Sequence, residues 1–135
     1  MNRAWPDLVL RIGISAAVAV SGYIHFDLYR GGYRYIHMIG PSFLIQAAAS
    51  FAIAVLLLVG GSFVLRLAAA ALGVGALGAF VMSRTVGIFG FTEIGWDPAP
   101  KAALSVVAEV VAIVLCAASV LIRVRIRGGR PTWVR

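Results

Sequence analysis

Apolar residues in this chain fall in four long blocks, at about 8–24, 41–59, 63–89 and 101–122, separated by short polar or turn-forming stretches. Each block approaches the ~20 mostly apolar residues that a helix needs to cross a bilayer. The first is entered through Trp5, Pro6 and Asp7. Proline suits the first turn of a helix, an acid complements its positive end, and tryptophan favours a membrane interface. The second block opens at Gly40-Pro41 and closes at Gly60-Gly61, and the fourth follows the turn signal Asp97-Pro98-Ala99-Pro100. The third is long enough to require tilt or an extension beyond the hydrocarbon. The short connection between the second and third blocks forces an antiparallel hairpin. The pattern predicts an all-α fold: an integral-membrane, up-and-down four-helix bundle formed as one domain over residues 1–135, with a basic tail at 123–135.

Composition supports the bilayer reading. Hydrophobic residues make up 61% of the chain and charged ones 13%, against about a quarter charged in ordinary soluble domains. The mean hydropathy is +0.97. The net charge of +7 is uneven, because Arg123, Arg125, Arg127, Arg130 and Arg135 cluster after the last block. Beside an apolar segment such a tail meets anionic headgroups and sets topology, and nucleic acid is not the expected partner. It predicts a cytoplasmic C-terminus. Four spans then return the N-terminus, with Arg3 and Arg11, to the same side. Arg30 and Arg34 lie on the other side, outnumbered by the tail. The expected location is the cytoplasmic membrane, with no cleaved signal peptide, since the first block lacks an A-x-A-like site. The one cysteine, Cys116, permits no intrachain disulfide and no cysteine-based metal site.

Helices in lipid associate through small residues and interhelical hydrogen bonds. Four-residue steps predict such faces: Gly13, Ala17, Ser21 and His25; Ser42, Gln46, Ser50 and Ala54; Ala71, Gly75, Ala79, Ser83 and Gly87; and Ser105, Glu109, Cys116 and Ser119 with nearby Ala112. Ionisable groups within a span are costly and are paired or line a cavity. Counted from a helix end near Phe89, Arg84 lies about 8 Å below the outer surface, and Glu109 lies about 12 Å below it from Lys101. An Arg84–Glu109 ion pair is therefore expected, with Gln46 at similar depth and His25 at the outer end of the first helix. Such a cluster either glues the helices together or forms the floor of a pocket. Arg11 and Arg66, near the inner boundary, read as snorkelling anchors.

The stretch 21–46 carries both histidines and all four tyrosines, Tyr23, Tyr29, Tyr33 and Tyr35, which read with Trp96 as an outer aromatic belt. It reads as an outward rim joining the first two helices. Asp27, Arg30, Arg34 and His37, with Glu93 and Asp97 of the other outer loop, are rim candidates. His25 and His37 flank Gly31-Gly32 and could serve as haem axial ligands, but the spacing matches no metal signature, and no resident cofactor or metal is expected. Ser21, Ser42, Ser83 and Ser105 lack a G-x-S-x-G context, and no H-E-x-x-H occurs. Gly73, Gly75 and Gly78 lie within an apolar block and read as helix-packing positions rather than a phosphate loop. An enzyme is not expected.

The run His25-x-x-Leu28-Tyr29, then Gly32-Tyr33-Arg34-x-Ile36-x-x-Ile39-Gly40-x-x-Phe43, is matched by a second, Gly87-Ile88-Phe89-Gly90-Phe91-x-Glu93, followed by a helix bearing Glu109. Together they resemble a group of small four-span membrane proteins of high-GC Gram-positive bacteria. The resemblance covers most of the chain and implies the four-span architecture. It carries over no activity and no catalytic residue. The expected role is a non-enzymatic accessory or scaffold subunit of a membrane complex, contacting lipid and a membrane-protein partner or a second copy of itself. The alternatives are a small transporter or ion-coupled carrier centred on Arg84 and Glu109, and a haem-binding redox protein using His25 and His37.

Overall fold

The computed structural model describes residues 4–128, and the side chains of residues 5–125. It is all-α, with four helices: α1 Ala4–Arg30, α2 Ile39–Gly60, α3 Phe63–Arg84 and α4 Lys101–Gly128. Each is long and apolar enough to cross a membrane. The shortest, at 22 residues, extends about 33 Å against roughly 30 Å of hydrocarbon. Of the tail arginines, Arg130 and Arg135 lie outside the described residues, as does Arg3.

Local chemistry explains the helix ends. Gly61 takes the left-handed conformation (φ 58°) that closes α2, and its N–H donates to the Leu57 carbonyl. Ser62 then caps α3, its hydroxyl accepting from the Leu65 N–H at 3.3 Å. The hairpin between α2 and α3 thus needs only two connecting residues. Four boundaries differ from the apolar blocks: α1 begins at Ala4 rather than near residue 8, α4 runs on to Gly128 and so takes in the start of the basic tail, and the ends of α1 and α3 also move. Helix α1 continues past Ile24 to Arg30, because the polar residues there interrupt no backbone hydrogen bond. Most of the stretch 21–46 is therefore helix, and the connection shrinks to residues 31–38 with one 3₁₀ turn at Tyr33–Tyr35. Helix α3 stops at Arg84, not near Phe89. Gly87 (φ 82°) and Gly90 (φ 77°) adopt conformations closed to a continuing helix, and Ile88 and Phe91 exchange two backbone hydrogen bonds in a tight turn.

Each helix packs against its chain neighbours, and α1 closes the ring against α4. The helices thus alternate in direction around the bundle. One end carries both long connections and is called the loop end, and the other carries the termini. The core centres on Ile14, Ala17 and Val18 of α1, Leu57 of α2, Ala69 of α3, and Ala112 and Cys116 of α4. Large apolar side chains such as Val55, Val59, Val64, Val74 and Val114 face outward. That distribution suits a multi-pass membrane protein rather than a water-soluble bundle.

Close helix contacts use glycines other than those expected. A Cβ on Gly22 would sit 2.7 Å from the Ser50 Cβ, and one on Gly73 3.2 Å from Ile113, whereas Gly75 and Gly78 face open space. The expected packing role holds for Gly73 and fails for the other two, where a Cβ would meet nothing within 4 Å. Arg66 and Arg11 also depart from the snorkelling expectation. Arg66 is 1% exposed and pairs with Asp7 at 2.6 Å, which Arg123 approaches at 3.6 Å. Arg11 donates to the Leu57 and Leu58 carbonyls at 3.1 and 2.6 Å, satisfying orphan acceptors at the end of α2. Asp7 holds Arg66 through Nη2 alone, with Nε and Nη1 buried without a partner, and Arg66 and Arg11 together close the termini end.

Candidate functional site

A cavity of about 260 Å³ lies at the loop end. Its walls are mainly apolar, and all four helices contribute. Helix α3 presents Gly75, Ala76 and Ala79, whose small side chains create the space. Opposite them lie Leu28 and His25 of α1, Phe43 and Gln46 of α2, and Ser105 and Glu109 of α4. Ser42 of α2 and Gly75 of α3, which both line the cavity, are exposed.

Glu109 forms the floor and is 3% exposed. Its Oε1 accepts from the Ser105 hydroxyl at 2.8 Å and from the Ser21 hydroxyl at 3.2 Å. His25 Nε2 stands 3.9 Å from the same oxygen. On the far side of the ring, Nδ1 donates to the Ser21 carbonyl at 2.9 Å, a bond that orients the imidazole. Phe43 packs against the ring with centroids 5.1 Å apart.

The expected Arg84–Glu109 pair does not form. Arg84 pairs with Glu93 at 2.9 Å and donates to the carbonyls of Gly95, at 3.1 Å, and Asp97. Its guanidinium also lies over the Phe80 ring, 3.9 Å from the centroid. The cause is the early end of α3. Arg84 is the last helical residue rather than one buried a turn and a half inside, so its side chain reaches the loop above instead of the carboxylate below. Arg84 therefore belongs to the cavity's mouth. Tyr33 completes that mouth by donating its hydroxyl to Glu93 and stacking edgewise on Phe43 and Phe91. Burial, followed by the hydrogen bond to Glu93, pushes the Tyr33 phenol above its ordinary pKa.

The rim candidates divide. Glu93 lines the cavity, and Asp27 pairs with Lys101 at 2.6 Å, linking α1 to the start of α4. Asp97 contributes its backbone carbonyl to Arg84. Arg30 and Arg34 turn to the aromatic rings of Phe26 and Tyr35 and do not converge on the cavity. His37 is exposed in the 31–38 connection, whereas His25 is buried and lines the cavity. The two histidines do not share a space that a porphyrin could occupy, so the residues do not fit haem. Among the described residues no three His, Cys, Asp or Glu side chains lie close enough to hold one metal ion.

Three contributors were not singled out from the sequence as parts of a site: Ser21 and Ser105, which hold Glu109, and Tyr33, which holds Glu93. A signal existed for the serines. Ser21 precedes His25, and Ser105 precedes Glu109, by the four residues that stack side chains on one helix face. Tyr33 meets Glu93 across 60 residues of chain and left no local trace. Both serine hydroxyls donate to the carboxylate, so neither is poised as a nucleophile on the imidazole. What the arrangement offers is binding: an apolar chamber with a carboxylate, an imidazole and the Gln46 amide on its inner wall. No protein-family model matches the chain, and no curated protein or solved structure does.

Proposed function

We propose that this chain is a multi-pass protein of the cytoplasmic membrane, with both termini in the cytoplasm, that acts as a non-enzymatic subunit binding a small, largely apolar molecule in its loop-end cavity. The observation that carries this reading is the cavity itself. Small-molecule sites are mostly apolar clefts with a few convergent polar groups, and this 260 Å³ cavity, with polar groups on one wall, has that make-up. By proportion with the ~150 Å³ cavity that holds benzene, it accommodates roughly ten non-hydrogen atoms.

Charge distribution supports the orientation. Arg11, Arg66, Arg123 and Arg125 lie at the termini end, and Arg3, Arg127, Arg130 and Arg135 are close to it in sequence. At the loop end Arg84 and Lys101 are offset by Glu93 and Asp27, which leaves Arg30 and Arg34. The positive excess belongs on the cytoplasmic side. A membrane-impermeant maleimide should label Trp96→Cys in intact cells, in a Cys116→Ser background, and should reach Arg125→Cys only after lysis. The opposite pattern refutes the orientation.

Binding is tested by isothermal titration of the full chain in phosphatidylcholine nanodiscs, with empty discs as the reference. Suitable probes are 2-phenylethylamine, 2-phenylethanol and phenylacetate, each about ten non-hydrogen atoms and so matched to the cavity. At least one should bind saturably, and Ala79→Trp, which fills the chamber, should abolish that binding while the protein remains folded. Ala76→Phe serves if the larger substitution fails to fold. Saturable binding untouched by both substitutions, or no binding at all, refutes the reading. A pull-down in mild detergent tests the subunit role, which recovery of the chain alone refutes.

One observation favours a second reading, that of a carrier. The bundle is closed at the termini end by Arg66, Asp7 and Arg11 and open at the loop end, the asymmetry of one state of an alternating-access cycle. A carrier must also visit the inverse state. Locking the termini end with a Asp7→Cys/Arg66→Cys crosslink would abolish flux of the bound probe and leave its binding intact.

A further inference from the structure

The occupant's chemistry follows from which charges in the cavity are already satisfied, an inference that rests on the cavity being a binding site. At the mouth the charges cancel. Arg84 is held by Glu93 and two backbone carbonyls, and Glu93 also accepts from Tyr33. At the floor they do not. Both hydrogen bonds to Glu109 fall on Oε1, and Oε2 has no hydrogen-bond partner among the described residues. Oε2 is not sealed away either: it is absent from the buried atoms lacking a partner, and Glu109 lines the cavity. No lysine or arginine among the described side chains pairs with this carboxylate.

His25 adds to the imbalance. A carbonyl can only accept, so the 2.9 Å contact from Nδ1 to the Ser21 oxygen assigns the ring's proton to Nδ1. The neutral ring then presents Nε2 as a lone pair, 3.9 Å from Glu109 Oε1 and too far for a direct hydrogen bond. Two acceptors, one of them a carboxylate, thus look into a low-dielectric chamber without a donor between them. A buried carboxylate in that position is stabilised by a cation bearing N–H donors. The apolar walls formed by Ala76, Ala79 and Leu28 suit a hydrocarbon body.

We propose that the cavity binds a lipophilic amine, its ammonium group donating to Glu109 Oε2 and His25 Nε2 and its apolar body lying against α3. Gln46, on α2, supplies an amide oxygen to the same headgroup. An anionic ligand is disfavoured because it would meet the Glu109 carboxylate.

The three titration probes share one apolar body and differ in their polar group. The wild-type chain in phosphatidylcholine nanodiscs should bind 2-phenylethylamine at least about tenfold more tightly than 2-phenylethanol, with phenylacetate weakest. Glu109→Gln should bring amine and alcohol to similar affinity. If that variant does not fold, the wild-type ranking still decides. Equal binding of amine and alcohol by the wild-type chain overturns this inference and leaves the binding function standing, because His25 would then be charged and already paired with Glu109. Preference for phenylacetate also overturns it. Binding of none of the probes removes both. Repeating the titration in nanodiscs containing phosphatidylethanolamine separates two sources of such a group. A lipid ammonium lowers the apparent affinity for the probe by competition, and a free amine as natural occupant leaves it unchanged.

Discussion

Replacing Gly22 with alanine should weaken the contact between α1 and α2, although alanine is the better helix former. A Cβ there would meet the Ser50 Cβ at 2.7 Å and the Ala47 carbonyl oxygen at 3.3 Å. The first contact is roughly 0.7 Å inside ordinary van der Waals distance, where a gap or overlap of that size already alters a large share of each pair's attraction. The Ser50 Cβ is bonded directly to the backbone, so rotation of a side chain cannot relieve the clash, and one helix must move. Overpacking of this kind costs about 1–3 kcal/mol, and the helix-propensity gain returns about 0.5–1 kcal/mol. Between helices in lipid no hydrophobic drive compensates for a widened contact. Gly75→Ala is the matched control, because a Cβ at Gly75 meets nothing within 4 Å. It keeps the propensity gain without the clash. The two variants should differ by about 1–3 kcal/mol, with Gly75→Ala at or above wild type. Reversible unfolding in mixed micelles, followed by far-UV circular dichroism, measures both. If Gly22→Ala proves as stable as Gly75→Ala, the close contact between α1 and α2 is wrong.

Two further predictions concern the cavity's mouth. Arg84→Lys should not restore what Arg84→Ala loses, since one ammonium cannot reach Glu93, Ser83 and the Gly95 and Asp97 carbonyls together while lying on Phe80; protease protection of the 85–100 loop is the readout, and equal protection in Arg84→Lys and wild type would refute it. Tyr33 has a folded-state pKa above its unfolded value of about 10, so the stability it contributes is fully present below that value and is lost as pH rises through the folded pKa. The loss of thermal stability on raising the pH beyond about 10 should therefore be smaller in Tyr33→Phe than in wild type, and an identical pH dependence would contradict the buried phenol.

The sequence by itself determined the class of fold. Four blocks as apolar as 41–59 or 101–122 cannot be hidden in the core of a chain of 135 residues, so their number was legible without coordinates, though not their ends. The Gly60-Gly61 and Asp97-Pro98 signals placed the turns near their true positions, because glycine and proline act on the backbone they occupy. The membership of His25, Gln46, Arg84, Glu93 and Glu109 in one region was also legible, since a polar residue in or beside an apolar block stands out.

Their pairing was not. It depended on where α3 ends, and apolar composition continues through Ile88 and Phe89 after the helix has stopped. A shift of five residues moves a side chain about 7.5 Å along a helix axis, enough to take Arg84 from Glu109 to Glu93. The rotation of each helix was equally hidden. Small residues recur so often here that several four-residue faces fit, and only the packed bundle selects Gly22 and Gly73 over Gly75 and Gly78. The cavity belongs wholly to the tertiary structure. Gly75, Ala76 and Ala79 leave space along α3, but only the packed bundle brings His25, Gln46, Ser105 and Glu109 from the other three helices around it.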